Sequence, residues 1–513
     1  MYDLLVAYEE SGVSFMSFFS TRGGACATSS QAILWGLARD GGLFVPSMFP
    51  ALSEDRMAAL CGTSYQNQAA RILRDFLEDY SIAEIEQAVN SAYDASRWDD
   101  PDIAPVKALA NNVYVLELFH GPTLAFKDVA LQLLPHLLTL AARKNEEKRQ
   151  VSIIVATSGD TGKAALEGFR DVPGVSCSVF YPHGGVSKVQ ELQMVTTEGA
   201  NTHVIGVNGN FDQAQTGVKK LFNDPAFHEK MDRIGCMPSS ANSINFGRLV
   251  PQIVYYYTAY TSLVHRGAIR MGQAVNFVVP TGNFGDILAG YYAKRMGLPI
   301  NRLICASNRN NVLTDFFTDG IYHTHRTFFQ TMSPSMDILI SSNLERLLYE
   351  SAGRDAALVR GWMQQLGECG SFSIGAQRLA ELQKIFWADY ADDNMTADEI
   401  KRVYERDHYV MDPHTAVAAH ALKNYRASTN DPAATVIVST ASPYKFAPDV
   451  VRSLLGDSAV AGLDYFACSE KLEKLSGVPI PQQIRQLQSL PVRHKALCEV
   501  DGMETALLAE LQK

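Results

Sequence analysis

The chain has 513 residues, of which 47% are hydrophobic and 19% charged, and its formal net charge is -10 at pH 7. This length predicts two or three domains, and the composition is that of an ordinary soluble globular protein. The acidic balance argues against a general nucleic-acid or anionic-membrane binder, because no basic excess is available to meet phosphates. We also find no apolar run long enough to span a bilayer, so neither nucleic acid nor membrane is an expected partner.

The cysteine pattern and the N-terminus both favour a cytoplasmic protein. The eight cysteines are scattered without a C-x-x-C pair, which indicates reduced thiols rather than a disulfide framework or a metal site. Glu9 and Glu10 lie where a secretory signal would carry basic residues. Met16 lies just before Ser20–Gly23, which predicts that Met16 is the natural start and that residues 1–15 are an added or wrongly assigned leader.

Residues 1–105 are predicted to form a helical N-terminal domain. A helical pattern covers Ser29–Asp40 and a glycine pair stops it, and a second helical region extends from Ser53 to about Ser96. The stretch Trp98–Pro105 is rich in aspartate and proline. This composition indicates a domain boundary.

Beyond this boundary, residues 106–450 alternate between strand and helix patterns, and residues 451–513 form a C-terminal extension to which no role is assigned. Strands rich in Val and Ile that alternate with helices imply an α/β fold with mostly parallel sheets. Ligands of such folds lie at the carboxyl ends of strands, where loops enter helices. The predicted strands are Val113–Leu118, Val151–Ala156, Val175–Phe180, His203–Val207, Val275–Pro280, Leu303–Ser307 and Thr435–Thr440, and the predicted helices cover 124–143, 161–170, 211–222, 246–265, 285–296 and 414–425.

Two polar patterns predict helix starts. Thr396–Glu399 has the spacing of a capping box, and Asp412-Pro413 places a capping side chain directly before a proline. Both are structural signals and predict no chemistry.

Lys127 is the candidate catalytic residue. It follows a predicted strand and the turn His120–Thr123, and it lies between Phe126 and Val129 near the start of a helix. A lone lysine in such a place most often covers apolar surface with its stem while its ammonium group reaches water. The alternative is a desolvated lysine whose lowered pKa lets it form a Schiff base. The residue and its neighbours leave both interpretations open.

A first polar loop, Thr157–Lys163, follows the strand Val151–Ala156. It is not a P-loop, because Thr157 takes the place of the first glycine and Ala164 that of the Ser/Thr that binds Mg²⁺. A plain helix cap explains the loop, and so does a site where hydroxyl and N–H groups bind a substrate carboxylate.

Two further loops follow predicted strands. In Pro280–Asp286, glycines can let the backbone fold around an anion at a helix N-terminus, although glycine turns also enter helices for steric reasons alone. In Val438–Phe446, a hydroxyl at the strand end can hydrogen-bond the neutral ring nitrogen of a heteroaromatic cofactor. Each loop taken alone is a weak signal.

Together these stretches closely resemble threonine synthase, in that family's order and across about residues 17–450. The resemblance is carried by Ser20–Gly23, Asp40–Pro46, His120–Asp128, Thr157–Gly162, Val186–Met194, Asn242–Asn245 with Arg248, Pro251 and Gln252, Gly282–Asp286, Ser342–Arg346 and Asp412–Thr415. One departure is visible in a strand-end motif that often reads T-A-H-P-A-K-F in the family. Here Ser442 and Tyr444 replace its histidine and second alanine.

The resemblance implies a tryptophan-synthase-β-like fold with two lobes of mostly parallel sheet, which binds pyridoxal 5′-phosphate. It implies that Lys127 is the catalytic residue and binds the cofactor covalently, with Phe126 beside it, and that the hydroxyl of Thr440 meets the ring nitrogen. The cofactor phosphate would lie in the loop of Gly282, Asn283, Phe284, Gly285 and Asp286.

The activity implied is that of a lyase acting on a phosphate ester, in which O-phospho-L-homoserine and water give L-threonine and phosphate, the last step of threonine biosynthesis. Phosphate leaves by γ-elimination, and water then adds at Cβ. The chain would act as a monomer or homodimer. The expected substrate contacts are Thr157, Ser158, Asp160 and Thr161 for the carboxylate, and Lys163, Ser243, Asn245 and Arg248 for the phosphate.

Several other functions remain as alternatives. A phospho-lyase of the same fold would release 2-oxobutyrate from O-phosphothreonine or O-phosphohomoserine, and the motifs barely distinguish it. A serine/threonine dehydratase is disfavoured by Ser20–Gly23, and a non-catalytic binding protein is disfavoured because Lys127 is present. Thr157 and Ala164 disfavour a nucleotide hydrolase. His120 and His414 are predicted to be structural.

Overall fold

The structure, a computed structural model, describes residues 16–157 and 159–512. The predicted leader and the predicted site residue Ser158 lie outside these residues. The strands are β1 (Phe18–Ser20), β2 (Cys26–Ala27), β3 (Phe44–Pro46), β4 (Val106–Leu109), β5 (Val113–Glu117), β6 (Gln150–Ala156), β7 (Val175–Pro182), β8 (Thr202–Asn208), β9 (Cys236–Ser239), β10 (Val275–Pro280), β11 (Ile300–Ser307), β12 (Ile321–His323), β13 (Ser371–Ser373), β14 (Phe386–Tyr390), β15 (Thr435–Ser439) and β16 (Ala496–Glu499).

Helices separate most of these strands. They are α1 (Ser29–Trp35), α2 (Glu54–Ala58), α3 (Tyr65–Leu73), α4 (Ile82–Ala92), α5 (Lys127–Leu131), α6 (Leu134–Lys144), α7 (Asp160–Phe169), α8 (Lys188–Val195), α9 (Phe211–Asn223), α10 (Pro225–Arg233), α11 (Phe246–His265), α12 (Gly285–Arg295), α13 (Val312–Asp319), α14 (Leu344–Ser351), α15 (Ala356–Cys369), α16 (Ala376–Gln383), α17 (Asp393–Asp407), α18 (Pro413–Thr429), α19 (Ala447–Leu455), α20 (Tyr465–Ser476), α21 (Gln482–Arg485) and α22 (Met503–Leu511). Among the described helices, none is both long and apolar enough to cross a bilayer.

The larger lobe is built on a six-stranded sheet of order β14-β11-β10-β15-β5-β4. Its strands run parallel except at the edge, where β4 pairs antiparallel with β5. Ser439 of β15 lies opposite Glu117 of β5, so both strands end at the same edge of the sheet. The turn before Lys127 and the residue Thr440 therefore leave the sheet side by side.

The smaller lobe is a five-stranded parallel sheet of order β16-β8-β7-β6-β9. The loop that carries Asp160 follows β6, at the carboxyl edge of this sheet. The strands β6, β7, β10 and β15 are buried on both faces, as parallel sheets covered by helices require. The predicted α/β fold with two mostly parallel sheets is confirmed.

The N-terminal elements add a three-stranded antiparallel sheet of order β2-β1-β3 to the expected helices. Their apolar side chains join the same core as the large sheet and α11. For example, the ring of Phe76 lies 6.0 Å from that of Phe246. The core thus continues across residue 105, and the three-part domain division stays a prediction.

Two sequence-based expectations about helices were wrong in detail. The helix predicted over 124–143 is interrupted between α5 and α6, where Pro135 lacks the N–H that a continuous helix would use. Thr396 caps nothing, because α17 begins at Asp393 and Asp392 accepts the capping bond from Met395 N. The predicted start at Asp412-Pro413 is confirmed, since Asp412 caps α18.

Candidate active site

Lys127 is the first residue of α5 and is only 9% exposed. The N–H of the preceding residue, Phe126, donates to the carbonyl of Thr440 at 2.9 Å, which ties the start of this helix to the end of β15. The Lys127 Nζ atom lies 4.8 Å from the Phe126 ring centre. Burial outweighs the attraction of the nearby Asp160 carboxylate and lowers the pKa of Lys127 to about 8. A large fraction of this amine is therefore unprotonated at mildly alkaline pH.

Asp160, at the start of α7, lies at the centre of the charged groups. Its Oδ2 atom is 3.6 Å from Lys127 Nζ, and its Oδ1 atom is 2.7 Å from Lys445 Nζ. Gln190 Nε2 donates to the same Oδ1 at 3.3 Å. Although burial raises the pKa of Asp160, the ammonium groups of Lys445 and Lys127 outweigh it and hold that pKa far below its usual range. Asp160 is consequently an anion shared by two lysines.

Lys445 also fixes the turn before Lys127. Its Nζ atom donates to the carbonyl of Thr123 at 3.0 Å. The N–H and the hydroxyl of Thr123 donate in turn to the buried Asp128, at 2.8 and 2.7 Å. A β-carbon on Gly121 would lie 2.6 Å from Asp128, so this tight turn requires glycine there.

Ser335 was not foreseen from the sequence, yet it touches several parts of the site. Its hydroxyl donates to Asp160 Oδ2 at 3.0 Å and lies 3.5 Å from Lys127 Nζ. Its N–H donates to Nε2 of His414 at 3.2 Å, and Nδ1 of that histidine bonds to Asp412 at 2.7 Å. His414 therefore holds the backbone of Ser335 in place.

The predicted glycine loop, Gly282–Asp286, enters α12 close to Ser335. Phe284 adopts a left-handed backbone with φ of 63°, and α12 begins at the next residue. A β-carbon on Gly282 would lie 2.8 Å from the Ser335 carbonyl oxygen, so only glycine allows this approach. Asn343 donates to the carbonyl of Asn283 through its backbone and its side chain, at 3.1 and 3.0 Å. The loop presents the N-terminus of a helix, where backbone N–H groups attract anions.

Asp286 ends this loop and is held from α11. The hydroxyls of Tyr255 and Tyr256 donate to its Oδ1 atom at 2.6 and 2.8 Å. Burial raises the pKa of Asp286 to about 6. Its Oδ2 atom is buried without a partner within the described chain.

Of the residues predicted to bind the substrate phosphate, Arg248 has an N–H group that is not used in a hydrogen bond within the described chain. It is 5% exposed, and its Nη1 donates to the carbonyl of Ala241 at 2.8 Å, but its Nε is buried and finds no acceptor in the described chain. Burial lowers the pKa of Arg248 to about 10. Ser243 accepts a bond from Asn343 at 2.8 Å, so it lies next to the glycine loop.

The other predicted substrate residues mainly support the local backbone. Asn245 caps α11 by accepting from Gly247 N at 2.8 Å and donates to Ile33 O at 2.9 Å. The hydroxyl of Thr157 accepts from the N–H groups of two glycines in its own loop, at 3.0 and 2.9 Å. Lys163 pairs with Glu167 at 3.0 Å, and Thr161 is partly exposed beside Asp160.

His120 lies at the rim of the large sheet. Its ring nitrogens bond to Asp99 at 2.6 Å and to Glu117 at 3.1 Å. Burial alone would lower the pKa of His120, but the two carboxylates outweigh it and raise that pKa to about 9. This charged cluster links the N-terminal region to β5.

Comparison with known proteins gives the class of protein that this fold and site define. The family described as "Pyridoxal-phosphate dependent enzyme" matches residues 101–441, and that described as "Threonine synthase N terminus" matches residues 17–93. The chain belongs to the threonine synthase family of pyridoxal-phosphate-dependent enzymes. The family and cofactor expected from the sequence are thereby confirmed.

Similar proteins include threonine synthase of Pseudomonas aeruginosa, 38% identical over 93% of this chain and 98% of that protein. A crystal structure of threonine synthase from Brucella melitensis with bound pyridoxal phosphate has a TM-score of 0.85 and 38% identity over 97% of this chain and 100% of that one. Threonine synthase-like 1 of Macaca fascicularis is 42% identical over 83% of this chain. The chain spans only 58% of the length of that relative.

The residues at the site fit the cofactor. Lys127 is a buried amine with a lowered pKa, as covalent binding of an aldehyde requires. The loop at Gly282 has no room for a β-carbon, so its backbone can approach other groups closely, and it ends at a helix N-terminus suited to a phosphate. Thr440, 6% exposed, has a neutral side chain, and its backbone carbonyl contacts the residue before Lys127.

Proposed function

We propose that the protein converts O-phospho-L-homoserine and water to L-threonine and phosphate, with pyridoxal phosphate bound at Lys127. The observation that carries this proposal is the position of Lys127, which is buried with a pKa lowered to about 8 and lies beside Asp160 and Ser335. The family relationship supports the same chemistry.

The cofactor, when bound, withdraws electrons from the substrate carbons next to the amine, which makes their protons acidic. The Lys127 amine, once the substrate amine has replaced it, can take and return a proton at Cα. Its low pKa suits this role, because a base works best when its pKa lies near the working pH. Asp160 and Lys445 hold the local charge fixed while that proton moves.

The substrate carboxylate is proposed to bind at the N-terminus of α7, in the Thr157–Thr161 loop. The first N–H groups of a helix have no acceptor within the helix and attract an anion. Asp160 and Thr157 would hold the backbone of this loop in place. Asp160 is paired with lysines, and the hydroxyl of Thr157 accepts bonds from the loop glycines. Thr161, which is partly exposed, would donate its hydroxyl to the carboxylate.

The substrate phosphate is proposed to bind at Arg248 and Ser243. A buried guanidinium with an unused Nε donor is costly unless an anion completes its bonds. Asn245 supports this position by capping the helix that carries Arg248. Lys163, paired with Glu167, would contribute charge and no direct bond.

The test is threonine formation by purified, cofactor-loaded protein given O-phospho-L-homoserine. The cofactor-depleted protein and Lys127→Ala serve as matched controls, and both should form no threonine. Equal threonine formation with and without cofactor would contradict the proposal.

A further inference from the structure

The last fifty or so residues contact both lobes. We call residues 464–512 the C-terminal segment. It begins on the large lobe, where α20 packs against α19 and Leu475 O accepts a bond from the hydroxyl of Tyr404 at 3.0 Å. It ends on the small lobe, where β16 extends the sheet beside β8 and Met503 packs over Gly217. A single stretch of chain therefore joins the two lobes around the site.

On the large lobe, the C-terminal segment holds the turn that carries Lys445. The ring of Tyr444 is 2% exposed, and its hydroxyl donates to the carbonyl of Val478. The carbonyl of Tyr444 accepts from the hydroxyl of Tyr465 at 2.5 Å. Tyr444 is thus bonded to the segment at both its side chain and its backbone. It is one of the two positions that depart from the family's strand-end motif.

On the small lobe, the C-terminal segment holds α8. The last carbonyl of this helix, that of Val195, accepts from the N–H groups of Arg493 and His494 at 2.8 and 3.1 Å. Near its start, Val189 shares a buried apolar cluster with Leu487. The segment therefore fixes both ends of a helix.

The turn that carries Lys445 and the helix α8, both held by the C-terminal segment, each place a side chain against the carboxylate of Asp160. Lys445 reaches Asp160 from the large lobe and Gln190, on α8, reaches it from the small lobe, at 2.7 and 3.3 Å. The second oxygen of Asp160 faces Lys127. Other charged or titratable groups that act on these residues, within the described chain, include Arg248 of α11, His414 of α18, Asp286 of α12 and Asp128 of α5.

We infer that the C-terminal segment positions Lys445 and Gln190 on Asp160 and so sets the charge felt by Lys127, with Tyr444 as the positioning residue for Lys445. Loosening Lys445 would remove a repelling cation from Lys127 and leave Asp160 freer to attract it. Both changes favour the protonated form of the lysine. The inference rests on the proposed cofactor-binding role of Lys127 and is independent of the substrate.

The test measures how fast cofactor-depleted, full-length protein takes up pyridoxal phosphate between pH 6.5 and 9.5. Only unprotonated Lys127 can react, so the midpoint of this profile reports its protonation. Lys445→Met should move the midpoint up by about one pH unit. Tyr444→Phe should move it up by about half a unit, so that this variant takes up the cofactor about threefold more slowly than wild type at pH 7. Tyr80→Phe is the matched control, because it too removes a buried hydroxyl bond to a backbone carbonyl, that of Leu137 at 3.1 Å.

Tyr80→Phe should lower the thermal midpoint and leave the pH midpoint unchanged. A Tyr444→Phe protein that behaves in the same way would overturn the inference, since Tyr444 would then be merely structural. If Tyr444→Phe fails to fold, Tyr404→Phe takes its place, because it removes another bond to the segment. An unchanged pH midpoint in Tyr404→Phe would then overturn the inference. An unshifted Lys445→Met would also overturn the inference, whereas wild-type protein that takes up no cofactor would refute the proposed function instead.

Discussion

Lys445 Nζ lies 2.7 Å from one oxygen of Asp160, while the other oxygen of that carboxylate faces Lys127 at 3.6 Å. The closer lysine takes most of the carboxylate's charge, so Lys127 is buried with only part of a counter-ion. Burial lowers the pKa of Lys127 to about 8, and the shared Asp160 carboxylate offsets only part of that effect.

The pH profile of cofactor uptake follows from that pKa. In wild-type protein the rate should rise about tenfold per pH unit below pH 8 and level off above it. Asp160→Asn removes the anion that favours the charged amine, so the midpoint should move to lower pH. A midpoint near 10 in wild-type protein would contradict the buried position of Lys127.

Lys127→Ala should remove covalent cofactor binding altogether. Borohydride treatment of loaded wild-type protein should attach the cofactor mass to the peptide that contains Lys127. The exposed Lys384, paired with Glu381, provides the control, and Lys384→Ala should be labelled like wild type. Label on another lysine would show that Lys127 does not bind the cofactor covalently.

Gly282→Ala should weaken cofactor binding, because the added β-carbon would lie 2.8 Å from a backbone oxygen of Ser335. We expect the Kd for pyridoxal phosphate to rise about tenfold or more, a loss of about 1.4 kcal/mol. Gly361→Ala is the control, since its β-carbon would meet nothing within 4 Å. Equal cofactor affinity in the two variants would argue that the loop does not hold the phosphate.

Arg248→Ala should weaken substrate binding far more than cofactor binding. Loss of a charged hydrogen-bond donor corresponds to about 2–3 kcal/mol, or an increase of KM of about 30- to 150-fold. The exposed Arg452, paired with Asp449, gives a control variant with little expected change. If Arg248→Ala raised KM and the cofactor Kd equally, the role of this arginine would be structural.

The His120 cluster predicts a pH-dependent stability. The folded-state pKa of His120 is raised to about 9, above its ordinary value of 6.5, so its contribution is complete below pH 6.5 and is lost as pH rises through 9. Because Asp99 is 48% exposed, solvent screening limits this contribution to about 2 kcal/mol. Urea unfolding of wild type and His120→Gln should differ by about that much more at pH 6 than at pH 10. A pH-independent difference would show that the histidine is neutral.

Much of this architecture could be predicted because its signals are local. Each predicted strand corresponds to an observed one, because runs of Val and Ile between glycine turns have few other ways to be buried. Lys127 could be singled out because a charged residue between apolar neighbours at a helix start is unusual. The interruption before Pro135 was missed because the apolar spacing continues across it.

The contacts that complete the site were not predictable from local pattern. Ser335 lies in a single 3-10 turn, Pro334–Met336, which is too short to show a periodicity and is 208 residues from the lysine it approaches. Asn245 has the chemistry of a phosphate ligand, but its amide is used to cap a helix. Gln190 and Lys445 lay within stretches that resemble the family, yet nothing in their sequence spacing places both on Asp160.

The central claim is the reaction itself, and one balance of products tests it most directly. Purified, cofactor-loaded protein is given O-phospho-L-homoserine, and phosphate, threonine and 2-oxobutyrate are measured together in the same samples. The account predicts phosphate and threonine in equal amounts with little 2-oxobutyrate. Phosphate matched by 2-oxobutyrate would identify a phospho-lyase, and no phosphate from fully loaded protein would contradict the proposed substrate.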